Sequence, residues 1–185
     1  MKIYTIIGGV NGVGKSSLTG ALKSEKNDLG KIIDVDKITE SLDNNRILGG
    51  KSAIALINEC LSKNICFTQE TTLAGFRTEK TIRKARSQNY YIRLYYIGLN
   101  SALESTKRIK NRVEKGGHNI NPYDVQKRFK NRFKDLKRIL PYCDQAVFFD
   151  NENGFIEVAE YKNGEIILKG SYHPEWIVEL KKYVE

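Results

Sequence analysis

No apolar run in this 185-residue chain approaches the ~18 residues that a bilayer crossing needs, so no membrane span is expected. Cysteine is scarce. Cys60, Cys66 and Cys143 show no C-x-x-C spacing, which argues against a disulfide framework and against a zinc site. Cys60 and Cys66 have apolar neighbours and read as ordinary core thiols. Prolines number three, and no repeat, low-complexity stretch or linker interrupts the chain. The first residues lack the charged, apolar and small-residue regions of a signal peptide and run directly into a strand pattern. A cytoplasmic protein is the expectation.

What is present suits a single globular unit. Hydrophobic residues make up 40% and charged residues 29% of the chain. The length allows one well-cored α/β domain over residues 1–185, and is short for two. Charge is unevenly spread. Residues 101–140 hold 12 Lys/Arg against 4 Asp/Glu, which accounts for nearly all of the net +9. One basic segment in such a chain predicts an anionic ligand covered by positive charge.

Residues 9–16, Gly9-Val10-Asn11-Gly12-Val13-Gly14-Lys15-Ser16, match G-x-x-x-x-G-K-[ST] without a mismatch. A strand-like run, Ile3 to Ile7, precedes them and a helix-forming run from Ser17 follows, which is the context this motif needs. Gly9, Gly12 and Gly14 allow the backbone of Asn11, Val13, Ser16 and Ser17 to turn its N–H groups toward phosphate oxygens, and the helix start adds its positive end. Lys15 is placed to reach the β- and γ-phosphates, and the Ser16 hydroxyl to hold Mg²⁺. A nucleoside triphosphate is the implied ligand, with ATP preferred because no guanine-reading motif is evident.

Short apolar runs alternate with longer helical patterns, which predicts βαβ units and a parallel sheet. Strands are expected over 31–36, 65–70, 90–99 and 146–149, and helices over about 53–63, 76–88, 101–116 and 122–138. The last two helices flank Gly116-Gly117 and form a basic lid over about 101–140, with the glycines as a hinge or helix stop. In the tail, Lys162-Asn163-Gly164 predicts a β-hairpin between 155–161 and 165–168, and a terminal helix follows Pro174.

Ligands of open parallel sheets sit beyond the carboxyl ends of the strands. Asp34 and Asp36 fall there, and strand alternation would put both on one side with Asp36 farther out. Asp36 is the favoured general base for an acceptor hydroxyl, although either carboxylate could instead cap the following helix. Glu70 ends an apolar strand, where a carboxylate must be paired, metal-linked or bound to ligand. Glu70, Thr72 and Arg77 are therefore candidate substrate contacts, and Asn151 is placed to line the base pocket. Arg108 and Arg112 share a helix face, as do Arg128 and Arg132. Arginines closing over the transferring phosphoryl group supply much of the catalysis of such reactions, so Arg112 and Arg128 join Lys15 and Asp36 as catalytic candidates. Lys107, Lys110, Lys127, Lys130 and Lys134 read as a solvated face, and Phe129, Phe133 and Leu136 as core contacts. His118 lies beside the hinge; His173, before Pro174, reads as structural.

In Gly9–Ser17, Ile33-Asp34-Val35-Asp36, Gln69-Glu70-Thr71-Thr72, Arg108–His118 and Pro141–Asn151 the chain resembles the zeta toxin group of P-loop kinases. The resemblance implies a three-layer sandwich on a five-stranded parallel sheet of order 2-3-1-4-5, with a helical lid and the C-terminal hairpin added. It implies transfer of the ATP γ-phosphate to a small-molecule hydroxyl, which in the toxins is the 3′-hydroxyl of a UDP-linked N-acetylhexosamine. By position, Asp36 resembles the family's base, Lys15 and Ser16 its ATP and Mg²⁺ ligands, Glu70 and Thr72 its acceptor-side residues, and Arg112 its first phosphate-stabilising arginine. The second lid arginine has no clean counterpart: His118 stands near its place, and Arg128 or Arg132 would have to substitute. An antitoxin-like partner is neither required nor excluded.

Two rival readings accompany the small-molecule kinase. A polynucleotide or nucleoside kinase would use the +8 segment to track a backbone, but its aromatics are spaced as core residues and no nucleic-acid module is recognisable. A non-enzymatic module gated by ATP would bind nucleotide tightly and have no acceptor.

Overall fold

The computed structural model describes residues 1–117 and 119–185. A central strand, β1 (Ile3–Gly8), is buried at every position, because it lies between neighbours and under helices on both faces. It leads through the glycine loop into α1 (Lys15–Glu25), and β2 (Lys31–Asp34) follows. Then come α2 (Val35–Glu40), α3 (Arg46–Lys63), β3 (Phe67–Thr71), α4 (Arg77–Ser87) and β4 (Tyr91–Gly98). The basic segment forms α5 (Ala102–Glu114) and α6 (Pro122–Ile139), and the chain ends in β5 (Gln145–Asp150), β6 (Ile156–Lys162), β7 (Glu165–Leu168) and α7 (Glu175–Val184).

The sheet differs from the expected five strands. Its order is β2-β3-β1-β4-β5-β6-β7, seven strands in all. The first five pair in parallel, in the order the family resemblance implies, and β6 and β7 continue the same sheet antiparallel from β5. The Asn163-Gly164 turn is present, with both residues at positive φ. Val158, Ala159 and Ile166 are fully buried, so the hairpin belongs to the core and is not an appendage.

Three layers result. One sheet face carries Tyr4, Ile6, Phe67, Leu94 and Phe148, covered by residues of α3, α4, α6 and α7. The other carries Ile7, Tyr95, Ile97 and Val147, covered chiefly by Leu18 and Leu22 of α1. Alternate residues of β1 thus feed opposite cores.

Two boundaries move with consequence. The strand expected over 31–36 stops at Asp34, because Asp34 accepts the N–H groups of Asp36 (3.0 Å) and Lys37 (3.3 Å) and starts α2. The helix expected from 53 begins at Arg46, capped by Asn45; Gly49 lets it pass against Thr39, where a methyl would collide with backbone. The expected lid also divides. The second half of α6 is core, with Leu136 and Ile139 fully buried, and Arg138 pairs with Glu79 of α4 at 3.1 Å. Its first half packs with α5 around a separate small cluster, Ile109, Ile120 and Val125.

Candidate active site

The glycine loop is wound so that only glycine fits at its turns. Gly9, Gly12 and Gly14 have φ of 147°, 78° and 98°. A methyl at Gly12 would fall 2.7 Å from the Ser105 carbonyl, and one at Gly14 would fall 2.5 Å from Asn151 Nδ2. Lys15 folds back over the loop and donates to the Gly9 and Val10 carbonyls at 3.0 and 3.1 Å. Burial lowers its pKa, opposed by the negative charges of Asp36, Glu70 and Asp34 and assisted by Arg128.

The ends of β1, β2 and β3 bring the acids to the loop. Asp34, Glu70 and Ile7 are register neighbours across the three strands. Glu70 accepts hydrogen bonds from Ser16 Oγ and Thr19 Oγ1, each at 2.7 Å. Ser16 Oγ also lies 3.5 Å from Asp34 Oδ2. Burial raises the pKa of Glu70, Asp34 adds to the rise, and the Thr19, Ser16 and Lys15 contacts oppose it. Two carboxylates and a hydroxyl converging beside a lysine form a hard, anionic oxygen set, which suits Mg²⁺ with water completing its shell. Among the described residues no three His, Cys, Asp or Glu side chains are placed to hold a metal ion by themselves, so such an ion would lean on Ser16 and on substrate oxygens.

A cleft of about 640 Å³ opens over these groups. Asn11, Gly12, Gly14, Lys15, Ser16 and Ser17 of the loop line it together with Asp34, Asp36, Glu70, Thr72 and Arg77 and with Arg108, Arg112 and Arg128 of the basic helices. Asp36 is exposed to this space from the first turn of α2, not from the end of a strand as alternation implied. Arg77 opens α4 after a loop held by positive φ at Leu73 (62°) and Gly75 (77°). Arg128 donates to the Asn11 side chain at 2.7 Å, which brings α6 down on the loop. Ser105 of α5 donates to the Asn11 carbonyl, so both helices touch the same loop residue.

Arg132 is elsewhere. Its guanidinium lies 3.9 and 4.0 Å from the Phe129 and Phe133 ring centres and 3.4 Å from Glu179 of α7, away from the cleft. Of the three candidates for a second lid cation, Arg128 is the one at the cleft, and His118 lies outside the described residues. Asn151 is not part of this lining; its Nδ2 donates to the Val13 carbonyl of the loop at 2.8 Å. Gly9 and Val13 support the loop from beneath, with Val13 fully buried. The lysines 107, 110, 127, 130 and 134 are all exposed, as a solvated face should be.

Thr19 and Ser105 escaped the sequence reading. Thr19 carried a faint signal: it is a polar residue on the buried side of α1, beside Leu18 and Leu22. Ser105 carried none, because its partner is a backbone carbonyl 94 residues away.

No family model matches the chain. An uncharacterized protein of Haemophilus influenzae is 36% identical over 118 residues, covering 60% of this chain and 81% of that one. The chain belongs to that protein's family. Among solved structures, a chain of the PezAT chromosomal toxin–antitoxin system of Streptococcus pneumoniae superposes with a TM-score of 0.64 at 16% identity, covering all of this chain and 84% of that one. A chain of the AvrRxo1-ORF1:ORF2 complex with ATP gives a TM-score of 0.68 at 16% identity, covering all of this chain and 63% of that one. At 16% identity these likenesses show that the chain shares the α/β fold of those proteins. No helix among the described residues is long and apolar enough to cross a membrane.

Proposed function

We propose that the protein is an ATP- and Mg²⁺-dependent phosphotransferase that moves the γ-phosphate to a hydroxyl of a small anionic metabolite, with nucleotide-sugars the first class to test. One observation carries this reading: a single cleft joins the phosphate loop, an exposed carboxylate and three arginines from the basic helices. A bare nucleotide-binding module would not need Asp36 in the same cleft as those arginines.

In this reading the loop amides and Lys15 hold the triphosphate, and Lys15 exchanges its bonds to Gly9 and Val10 for phosphate oxygens. Ser16, assisted by Asp34 and Glu70, would hold Mg²⁺, which supplies charge neutralisation across the β- and γ-oxygens. Asp36 takes the proton from the acceptor hydroxyl as its oxygen bonds to the γ-phosphorus and ADP departs. Arg112 and Arg128 stabilise the charge that spreads over the transferring group. Glu70 and Thr72 at the end of β3, with Arg77 beside them, orient the acceptor and its negative charge.

The experiment is a screen of small hydroxyl compounds with radiolabelled ATP and Mg²⁺. Asp36→Asn should bind ATP like the wild type and lose transfer. Wild-type transfer by Asp36→Asn would refute the assigned base, and absence of ATP binding by the wild type would refute the reading as a whole.

A further inference from the structure

The C-terminal helix reaches the phosphate loop through one buried carboxylate. Asp150, at the end of β5, is 1% exposed. It accepts from Trp176 Nε1 at 2.7 Å, from the Glu152 N–H at 3.0 Å and from the Tyr172 hydroxyl at 3.3 Å. The next residue, Asn151, donates to the Val13 carbonyl and occupies the space that a side chain at Gly14 would need. Arg108 of α5 donates from Nη2 to the Asn151 carbonyl at 2.6 Å while its Nε pairs with Glu104 at 2.8 Å. Residues 150–152 are therefore a junction at which the phosphate loop, α5 and α7 meet.

Trp176 is itself fixed at both ends. Its N–H donates to Asn100 Oδ1 at 3.1 Å, so a side chain from the β4–α5 turn caps a helix that Pro174 leaves without a side-chain cap. Its indole lies against Gly98, where any methyl would overlap the ring. A buried carboxylate needs its donors, and the indole N–H is the shortest of the three.

We propose that Trp176 is a positioning residue for the nucleotide site. Through Asp150 it sets the place of Asn151, and Asn151 holds the Val13 carbonyl so that the amides of Gly14 to Ser17 already face the phosphates. Holding the loop in its binding shape removes ordering cost from nucleotide binding. The inference rests on the loop's being the nucleotide site proposed above. It gives the C-terminal strands and helix, which lie outside the five parallel strands, a part in ligand affinity.

Trp176→Phe keeps a ring against Gly98 and removes the N–H. Ile177→Val is the control, since Ile177 is equally buried in the same helix and makes no bond to Asp150. Two readouts are compared: amide hydrogen exchange at residues 10–16 without nucleotide, and the Kd for a non-hydrolysable ATP analogue with Mg²⁺. Trp176→Phe should speed loop exchange and raise Kd by up to about fivefold, the worth of one net hydrogen bond, while Ile177→Val changes neither. Wild-type values in Trp176→Phe, or the same changes in Ile177→Val, overturn the proposal. Failure of the wild type to bind the analogue would instead count against the proposed function, and the exchange comparison would still decide the role of Trp176.

Discussion

Ser16 and Glu70 are 54 residues apart in the chain, yet the serine hydroxyl lies 2.7 Å from the glutamate carboxylate. The strand that delivers Glu70 runs beside the strand that delivers the loop, so this contact is a product of the sheet order. Burial and the neighbouring Asp34 make this carboxylate hold a proton more tightly than a glutamate in water.

A pH dependence follows from that rise. The folded chain binds this proton more tightly than the unfolded chain does. The group therefore adds stability as pH falls through its raised pKa toward the ordinary glutamate range, and removes it above. Glu70→Gln keeps one of the two oxygens that Ser16 and Thr19 reach, replaces the other with an amide NH2, and carries no charge. In metal-free protein it should raise Tm at about pH 7.5, with the gain fading by about pH 4. With saturating Mg²⁺ and ATP the order should reverse, because the variant offers the cation less charge. Identical thermal scans at neutral pH would remove the premise.

The two arginines of α6 should separate by assay. Arg128→Ala takes a cation from the cleft wall and should reduce phosphoryl transfer by about 100-fold or more, with little change in Tm. Arg132→Ala should leave the rate intact and lower Tm, since it removes the packing on Phe129 and Phe133 and the contact with Glu179. Rates and melting curves on both variants check this; equal rate losses would mean that Arg128 has no special part.

Gly14→Ala should abolish nucleotide binding without unfolding the chain. The left-handed φ of 98° costs a non-glycine residue about 1–3 kcal/mol, and the added methyl would push Asn151 off the Val13 carbonyl. Titration calorimetry with the ATP analogue measures the loss directly, and wild-type affinity in this variant would contradict it.

Ile177→Ala should cost about 2–5 kcal/mol in urea unfolding, the usual penalty for a cavity in a close-packed core. Ile177 is fully buried among residues of the main core, so the penalty tests whether α7 belongs to the cooperative unit. By the same argument, removal of residues 154–185 should leave no folded domain. A cooperative transition in that truncated chain would show that the first five strands suffice.

Much of the cleft could be read from local sequence. The glycine loop and its two flanking elements are contiguous, and the residues that become the cleft's arginine wall were visible as helical i, i+4 pairs. Asp36 lines the cleft from the first turn of α2, a place that strand alternation does not give it. Asp34 has the Asx-type side chain that stops a strand and caps a helix, and this local bond overrode the alternation that a strand to residue 36 would have required. Glu70 was flagged as a carboxylate needing a partner, while its partners Ser16 and Thr19 came only with strand order. Arg128 and Arg132 share a face in sequence, yet one turn of helix divides the cleft from the core.

By itself the amino-acid order determined the glycine loop, the alternation of strands and helices, and the hairpin turn at Asn163-Gly164, because each depends on residues within a few positions of one another. The three-dimensional arrangement alone decided that the hairpin extends the sheet, that Asn151 bonds the Val13 carbonyl, and that Trp176 bonds Asp150. Those contacts join strand ends and helix faces far apart in the chain. They exist only once sheet order and buried packing have brought the partners within hydrogen-bond reach.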